Sequence, residues 1–241
     1  MKNKKILLIV PILIAAGLLT WRILGRPFLY AGTVEATEVD ISARVSSVIS
    51  AFEAKEGRTV AAGQRLVTLA GEDLKLAADI ADKDFERAAQ LRKGGSIPQE
   101  AYDRARYKRD DAALHLAWCG IDSPIDGTVL AVFREAGELV GPGTKLLTLA
   151  DLREVWAMVY VPQPLLARLA LDQEVSGVLP ESPGRRLTGR IAHINDQAEF
   201  TPKNVQTRQE RTRLVFGVKI IFPNPDRMLK PGMTIEVKLP R

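Results

Sequence analysis

Side chains able to do chemistry are few and scattered in this chain. It has two histidines, His115 in a helical pattern and His193 in a strand pattern. Neither has a second ligand at metal-binding spacing, and no cysteine or carboxylate cluster completes a site. The single cysteine, Cys119, follows Ala117-Trp118 at the end of a helical pattern. One cysteine permits no intrachain disulfide, and Cys119 reads as a small buried hydrophobe. Carboxylates gather as Asp82-Lys83-Asp84 and Asp110-Asp111, which fit solvated helix faces supported by neighbouring charges. No glycine-rich phosphate loop follows a strand and opens a helix. These residues assemble no catalytic constellation, no metal site and no cofactor site, and the chain reads as non-enzymatic.

Composition sets the frame around them. The 241 residues are 46% hydrophobic and 26% charged, as in a folded globular protein. The net charge is +5, but Lys2, Lys4 and Lys5 supply three of those charges ahead of an apolar segment. What remains is too nearly neutral to be a nucleic-acid footprint. From Ile6 to Trp21 the chain is uncharged; Arg22 ends the run, and Ile23 and Leu24 follow. No small-x-small cleavage site succeeds it, so an uncleaved signal anchor over residues 1–25 is expected, with a cleaved secretory signal as the competitor. The lysines hold the N-terminus in the cytoplasm. Everything beyond about Gly25 is then exported.

The strongest signal is an internal repeat. Residues 46–70 read SSVISAFEAKEGRTVAAGQRLVTLA, and residues 127–150 read GTVLAVFREAGELVGPGTKLLTLA. With a one-residue gap near Ala54, Gly57 falls on Gly137, Val60 on Val140, Gly63 on Gly143 and Leu66 on Leu146. Glu56-Gly57, Ala136-Gly137, Ala62-Gly63 and Pro142-Gly143 read as turns that need positive φ. Neither half buries a face alone, so the two interlock as one flattened β-sandwich split into residues 39–71 and 121–151.

Between the halves, residues 72–120 change period. Leu74, Ala78, Ala81, Phe85 and Ala88 step by four and three, a heptad seam. Tyr102, Ala105, Ala112, Leu116 and Cys119 form the returning seam, interrupted by Arg109. The connection Lys93-Gly94-Gly95-Ser96-Ile97-Pro98-Gln99 offers a glycine for a left-handed C-cap and Ser96 with Gln99 as a capping box, with Pro98 in the first turn. This predicts an antiparallel helical hairpin about 30 Å long. Residues 26–38 read as a linker and first strand near the last domain. Residues 152–241 return to five strands with Pro/Gly turns, a small barrel or sandwich.

The order of anchor, half-motif, hairpin, half-motif and small barrel resembles the HlyD-type periplasmic adaptors, or membrane fusion proteins. The split repeat is similar to the lipoyl/biotinyl fold. Asp122-Ser123-Pro124-Ile125-Asp126-Gly127-Thr128-Val129 resembles the family's re-entry into the second half-motif. Leu229-Lys230-Pro231-Gly232-Met233 resembles its turn into the last strand. The resemblance implies a mainly β fold with an inserted hairpin, an oligomeric ring (a hexamer), an inner-membrane exporter as one partner and an outer-membrane channel as the other. It also implies channel docking at the hairpin tip, here Arg87, Leu91, Gly94, Gly95, Ser96, Ile97 and Pro98. The family's loose tip pattern is matched at Arg87 and Leu91, but its serine position holds Pro98, with Ser96 two residues earlier. Lipoyl carriers bear their group on a tip lysine; the hairpin replaces that tip here, and no lysine sits in such a turn.

The basic stretch Pro202–Arg213 carries Lys203, Arg208, Arg211 and Arg213. It suits a face toward the exporter or anionic lipid heads, and equally a solvated loop. The chain ends at Arg241, just after the final barrel strand, so the membrane-proximal domain of many relatives is expected to be missing or reduced to residues near 29–38. That feature and the basic loop resemble adaptors of ABC-type exporters more than those of proton-driven pumps. The short hairpin also fits an alternative, an anchored scaffold that regulates an exporter without touching a channel.

Overall fold

The computed structural model describes residues 28–200 and 214–240. The expected anchor and the basic stretch with Lys203, Arg208, Arg211 and Arg213 lie outside the described residues. The described residues form two compact units, 36–153 in one, and 28–35 with those from 154 onward in the other.

The first unit contains the repeat. Strands β2 (Ser47–Phe52) and β4 (Arg65–Leu69) come from the first copy, with β3 (Thr59–Val60) between them in sequence. Strands β6 (Gly127–Val132) and β7 (Leu139–Val140) come from the second, which runs on into the long β8 (Lys145–Pro162). β2 pairs with β7 and β3 with β6, so each copy lends its short strand to the other. The turn glycines seal this exchange. Gly57 N–H donates to the Val129 carbonyl and Gly137 N–H to the Ile49 carbonyl, both at 2.8 Å. Gly63 N–H donates to Ser123 at 2.7 Å and Gly143 N–H to Ala43 at 2.9 Å. All four glycines have positive φ, between 75° and 94°, the region that costs other L-residues most.

These bonds correct the repeat alignment. Every equivalent position is 80 residues apart, Ile49 with Val129 as well as Gly57 with Gly137, and no gap near Ala54 is needed. Each copy also bulges at the same place, between Ile49 and Ala51 against β4 and between Val129 and Ala131 against β8. A bulge advances the chain by one residue without a ladder partner. Because the two bulges coincide, they leave the 80-residue offset intact; the shared letter at Phe52 and Phe133 invites the gap, whereas Glu53 holds the place of Phe133: Glu53 N–H donates to Leu66 and Phe133 N–H to Leu146. Ile49, Leu66, Leu69, Val129, Leu146 and Leu149 fill the shared core. Burying each such side chain contributes about 1.5–3 kcal/mol.

The second unit is a closed barrel. Around it run β9 (Glu174–Leu179), β10 (Ser182–Ile194), β12 (Leu214–Pro223) and β13 (Thr234–Lys238), together with the outer half of β8. The order is β12-β10-β9-β13-β1-β8, and β12 closes on β8 from Val215–Pro162 to Pro223–Glu154. Five strands had been legible; the sixth is the start of β1 (Tyr30–Ser42), whose residues 30–33 pair antiparallel with β13. Inward residues alternate along the strands, as in Val155, Ala157, Val159 and Val161. Phe222 is fully buried, and a Cβ on Gly189 would lie 2.5 Å from its ring. The turn Leu229–Met233 is tied in by buried Asn224, whose side-chain amide donates to the Leu229 carbonyl and whose oxygen accepts from its N–H. Gly232 N–H then donates to Val34 at 2.8 Å.

Candidate docking site on the helical hairpin

Helices α1 (Glu72–Lys93) and α2 (Gln99–Ala117) form an antiparallel hairpin on the first unit. The seam is the one that heptad spacing places there. Leu74, Ala78, Ala81, Phe85 and Ala88 are half-buried on α1, as are Tyr102, Ala105, Ala112 and Leu116 on α2. Phe85 and Tyr102 pack with ring centroids 5.5 Å apart. Arg109 does not interrupt this seam. Its guanidinium lies 4.0 Å from the Phe85 centroid and its side chain is half-buried, so it closes the seam as a cation over a ring. An arginine placed a heptad step from an aromatic neighbour was the available signal.

The hairpin base is anchored in the sandwich. Leu69 N–H donates to the Cys119 carbonyl at 2.8 Å, and Leu74 and Trp118 pack on the core. Cys119 is itself buried there, and that burial, with the Glu72 carboxylate nearby, pushes its thiol pKa up. A raised thiol is a poor nucleophile. Neither helix contains a fully buried residue.

At the far end the chain turns in five residues. Gly95 N–H donates to Arg92 (3.0 Å) and Ser96 N–H to Leu91 (2.8 Å), with Gly95 at φ 69°. This is the Schellman pattern, which satisfies two orphan carbonyls of α1. The expected capping box is absent. Pro98, at φ −62° and ψ 154°, is the N-cap of α2 and makes no side-chain cap bond. The Gln99 amide donates instead to Asp103 at 2.9 Å. The Ser96 N–H caps α1, and its hydroxyl turns to the Gly94 carbonyl at 3.5 Å.

Seven residues named from the sequence therefore sit on the last turns and tip of one hairpin. Arg87 is exposed and ion-paired to Asp84. Leu91 is exposed, Gly94 to Ser96 form the turn, and Ile97 is half-buried beside exposed Pro98. Arg92 reaches over to the Ile97 carbonyl at 3.5 Å. The tip offers two aliphatic groups, Leu91 and Ile97, two arginines, Arg87 and Arg92, and a tight turn, which suits binding. Among the described residues no group of three His, Cys, Asp or Glu is arranged to hold a metal ion. Away from the hairpin, Asp40 accepts hydrogen bonds from Lys145 and Thr148, both 2.8 Å, and these hold its carboxyl below the usual range. Sequence reading missed that cluster because 108 residues separate Asp40 from Thr148.

Residues 37–151 match the CzcB-like barrel-sandwich hybrid domain, and residues 154–241 match the CusB-like β-barrel domain. The two matches follow one another along the chain, a barrel-sandwich hybrid and then a β-barrel. The barrel-sandwich hybrid is the split repeat, with the hairpin inserted between its halves. Among solved structures, a chimera of MacA carrying the α-hairpin of Pseudomonas aeruginosa MexA superposes with a TM-score of 0.73 at 19% identity, over 89% of this chain and 81% of that one. The membrane fusion protein Spr0693 of Streptococcus pneumoniae R6 superposes at 0.68 and 20%, over 88% and 98%. The chain thus shares its fold with these two structures. A UPF0194 membrane protein from Acidithiobacillus ferridurans is 34% identical over 153 residues, which are 61% of this chain and 45% of that protein. One from Enterobacter sp. (strain 638) is 34% identical over 127 residues, 53% and 38%. The chain spans less than half the length of these curated relatives. Among the described residues no helix is long and apolar enough to cross a membrane.

Proposed function

We propose that this protein is a periplasmic adaptor subunit that links an inner-membrane exporter, of the ABC type, to an outer-membrane channel. One observation carries the reading: a barrel-sandwich hybrid presents a helical hairpin whose tip exposes Arg87 and Leu91, and a β-barrel follows it. Copies ring together, as hexamers, through the hybrid and barrel, and the ring walls a conduit without chemistry of its own. The N-terminal segment anchors each copy in the inner membrane, and Lys203, Arg208, Arg211 and Arg213 face the exporter or its lipid.

The test is in-cell crosslinking from a photoreactive residue at Ile97. Capture of an outer-membrane channel protein is the expected result. At 22 residues, α1 reaches about 33 Å, and this short span favours a second reading, an anchored scaffold confined to the exporter. Capture of inner-membrane proteins alone would select that reading. Charge reversal at Lys203, Arg208 and Arg211 is expected to weaken co-purification with the exporter; unchanged assembly and transport would remove the loop from the interface.

A further inference from the structure

In the barrel unit, large apolar side chains stand strongly exposed at one end. Among the described residues of that unit they are Phe28, Leu171 and Leu214, at 68%, 62% and 54%. They are far apart in sequence, and the topology gathers them. Val215 pairs with Pro162, so Leu214 stands where β8 ends. From there the short helix Gln163–Leu166 and a loop lead to Leu171, just before β9 starts. Asp172 N–H donates to the Ile191 carbonyl at 2.8 Å, which ties that loop to the closing residues of β10. A Cβ on Gly32 would meet the Met158 carbonyl, and Asp40 accepts from Thr148, so β1 and β8 run antiparallel. The start of β1 therefore also stands where β8 ends, and Phe28 precedes it with its ring edge-on to Tyr30 at 4.8 Å.

The sequence just before Phe28 limits what can face that end. The apolar run closes on Ile23 and Leu24, and only Gly25-Arg26-Pro27 separate it from Phe28. Four residue steps span at most about 14 Å, and the headgroup layer on one side of a bilayer is about 5–8 Å thick. With Leu24 at the edge of the hydrocarbon, Phe28 is held within or just above the headgroups. A protein partner covering this end would have to enter the same thin layer between barrel and bilayer. The exposed charges near the three apolar residues are mixed, Arg168 and Lys238 with Asp196 and Glu199, so no patch of one sign calls for a charged protein face. An apolar tip inside a mixed polar rim suits the headgroup boundary, where aromatic and aliphatic groups bury while charged ones stay in water.

We propose that this end of the barrel, through Phe28, Leu171 and Leu214, dips into the headgroup layer of the membrane that holds the N-terminal segment. The barrel is then fixed to lipid at three points of its own besides the anchor, and its orientation on the membrane is set by the chain itself. The contact rests on the reading of residues 1–25 as an anchor and adds to it a second, reversible hold. Because its groups are apolar, it requires no anionic lipid.

The experiment reconstitutes the full-length chain in phosphatidylcholine vesicles with a maleimide fluorophore at Leu171→Cys or Leu214→Cys. Glu181→Cys, exposed at the opposite end of β9, is the control. The unsubstituted chain, whose one thiol at Cys119 is buried, is the labelling blank. A nitroxide lipid is expected to quench the Leu171 and Leu214 probes several-fold more strongly than the Glu181 probe, and aqueous iodide to do the reverse. Adding Leu171→Glu is expected to return the Leu214 probe to iodide. Probes at Leu171 and Leu214 that iodide quenches as well as it does the control overturn the proposal. The same holds if they are open to iodide on vesicles and shielded only in native membranes, since a protein would then cover this end. If the chain floats with the vesicles while these probes stay in water, only this contact falls; if it does not float, the anchor reading falls with it.

Discussion

Gly57 and Gly137 hold φ at 75° and 94°, and a Cβ at either would meet nothing within 4 Å. Replacement by alanine therefore costs only the left-handed backbone penalty, about 1–2 kcal/mol. The two turns are equivalent, so Gly57→Ala and Gly137→Ala should lower the urea midpoint alike; unequal losses would contradict the exchange of strands between copies. Gly189→Ala is a different case, because Phe222 already occupies the space a methyl would need. Overpacking of this kind costs about 1–3 kcal/mol. At Asp40 the bonds from Lys145 and Thr148 lower the folded carboxyl pKa relative to the unfolded chain. The resulting stability is present above the ordinary carboxylate range and is lost as pH falls through the lowered value. Asp40→Asn should remove that portion of the acid unfolding limb, as thermal melts across acid pH would show. The turn glycines were legible because only their residue type suits positive φ. Asp40 was not, because a hydrogen bond across so long a sequence separation leaves no local pattern.

At the scale of elements, the hairpin was the most legible part. Its seam follows from a heptad, and the structure half-buries the same alanines and aromatics. The connection was less legible, since Ser96-Ile97-Pro98-Gln99 satisfies the spacing of a capping box while its backbone serves α1. Ser96→Ala should accordingly change stability by less than about 0.5 kcal/mol, where loss of a real N-cap would cost about 1 kcal/mol. Gly95→Ala should cost about 1–2 kcal/mol through its positive φ. Thermal unfolding of the two variants separates the alternatives, and the reverse ranking would restore the capping box. Repeat alignment failed because matching letters, Phe52 with Phe133, conceal the backbone bonds that make Glu53 the equivalent of Phe133.

For the molecule as a whole, the order of parts could be read, including a first strand in residues 26–38 near the last domain, but the strand it pairs with could not. Residues 30–33 pair with residues 234–237, at the other end of the chain, and no periodicity announces such a partner. The hairpin contributes no fully buried residue from either helix. Replacing residues 76–113 with a short glycine-rich turn, which keeps Leu74, Leu116 and Cys119, should leave both units folded. A cooperative melt with native-like amide dispersion would verify this, and loss of the sandwich signals would refute it. The exchange of short strands also has a kinetic side. Thr59–Val60 and Leu139–Val140 each wait for the other copy, which lies 80 residues away. At 5–20 residues per second, synthesis alone leaves the first copy incomplete for roughly 4–16 s. Helical hairpins assemble from local contacts and form much faster than distant strand pairs. Once zipped, the hairpin brings Leu69 and Cys119 together, so a 50-residue separation closes as though it were a tight turn. Weakening the seam at Phe85 should therefore slow refolding of the sandwich more than it lowers its equilibrium stability.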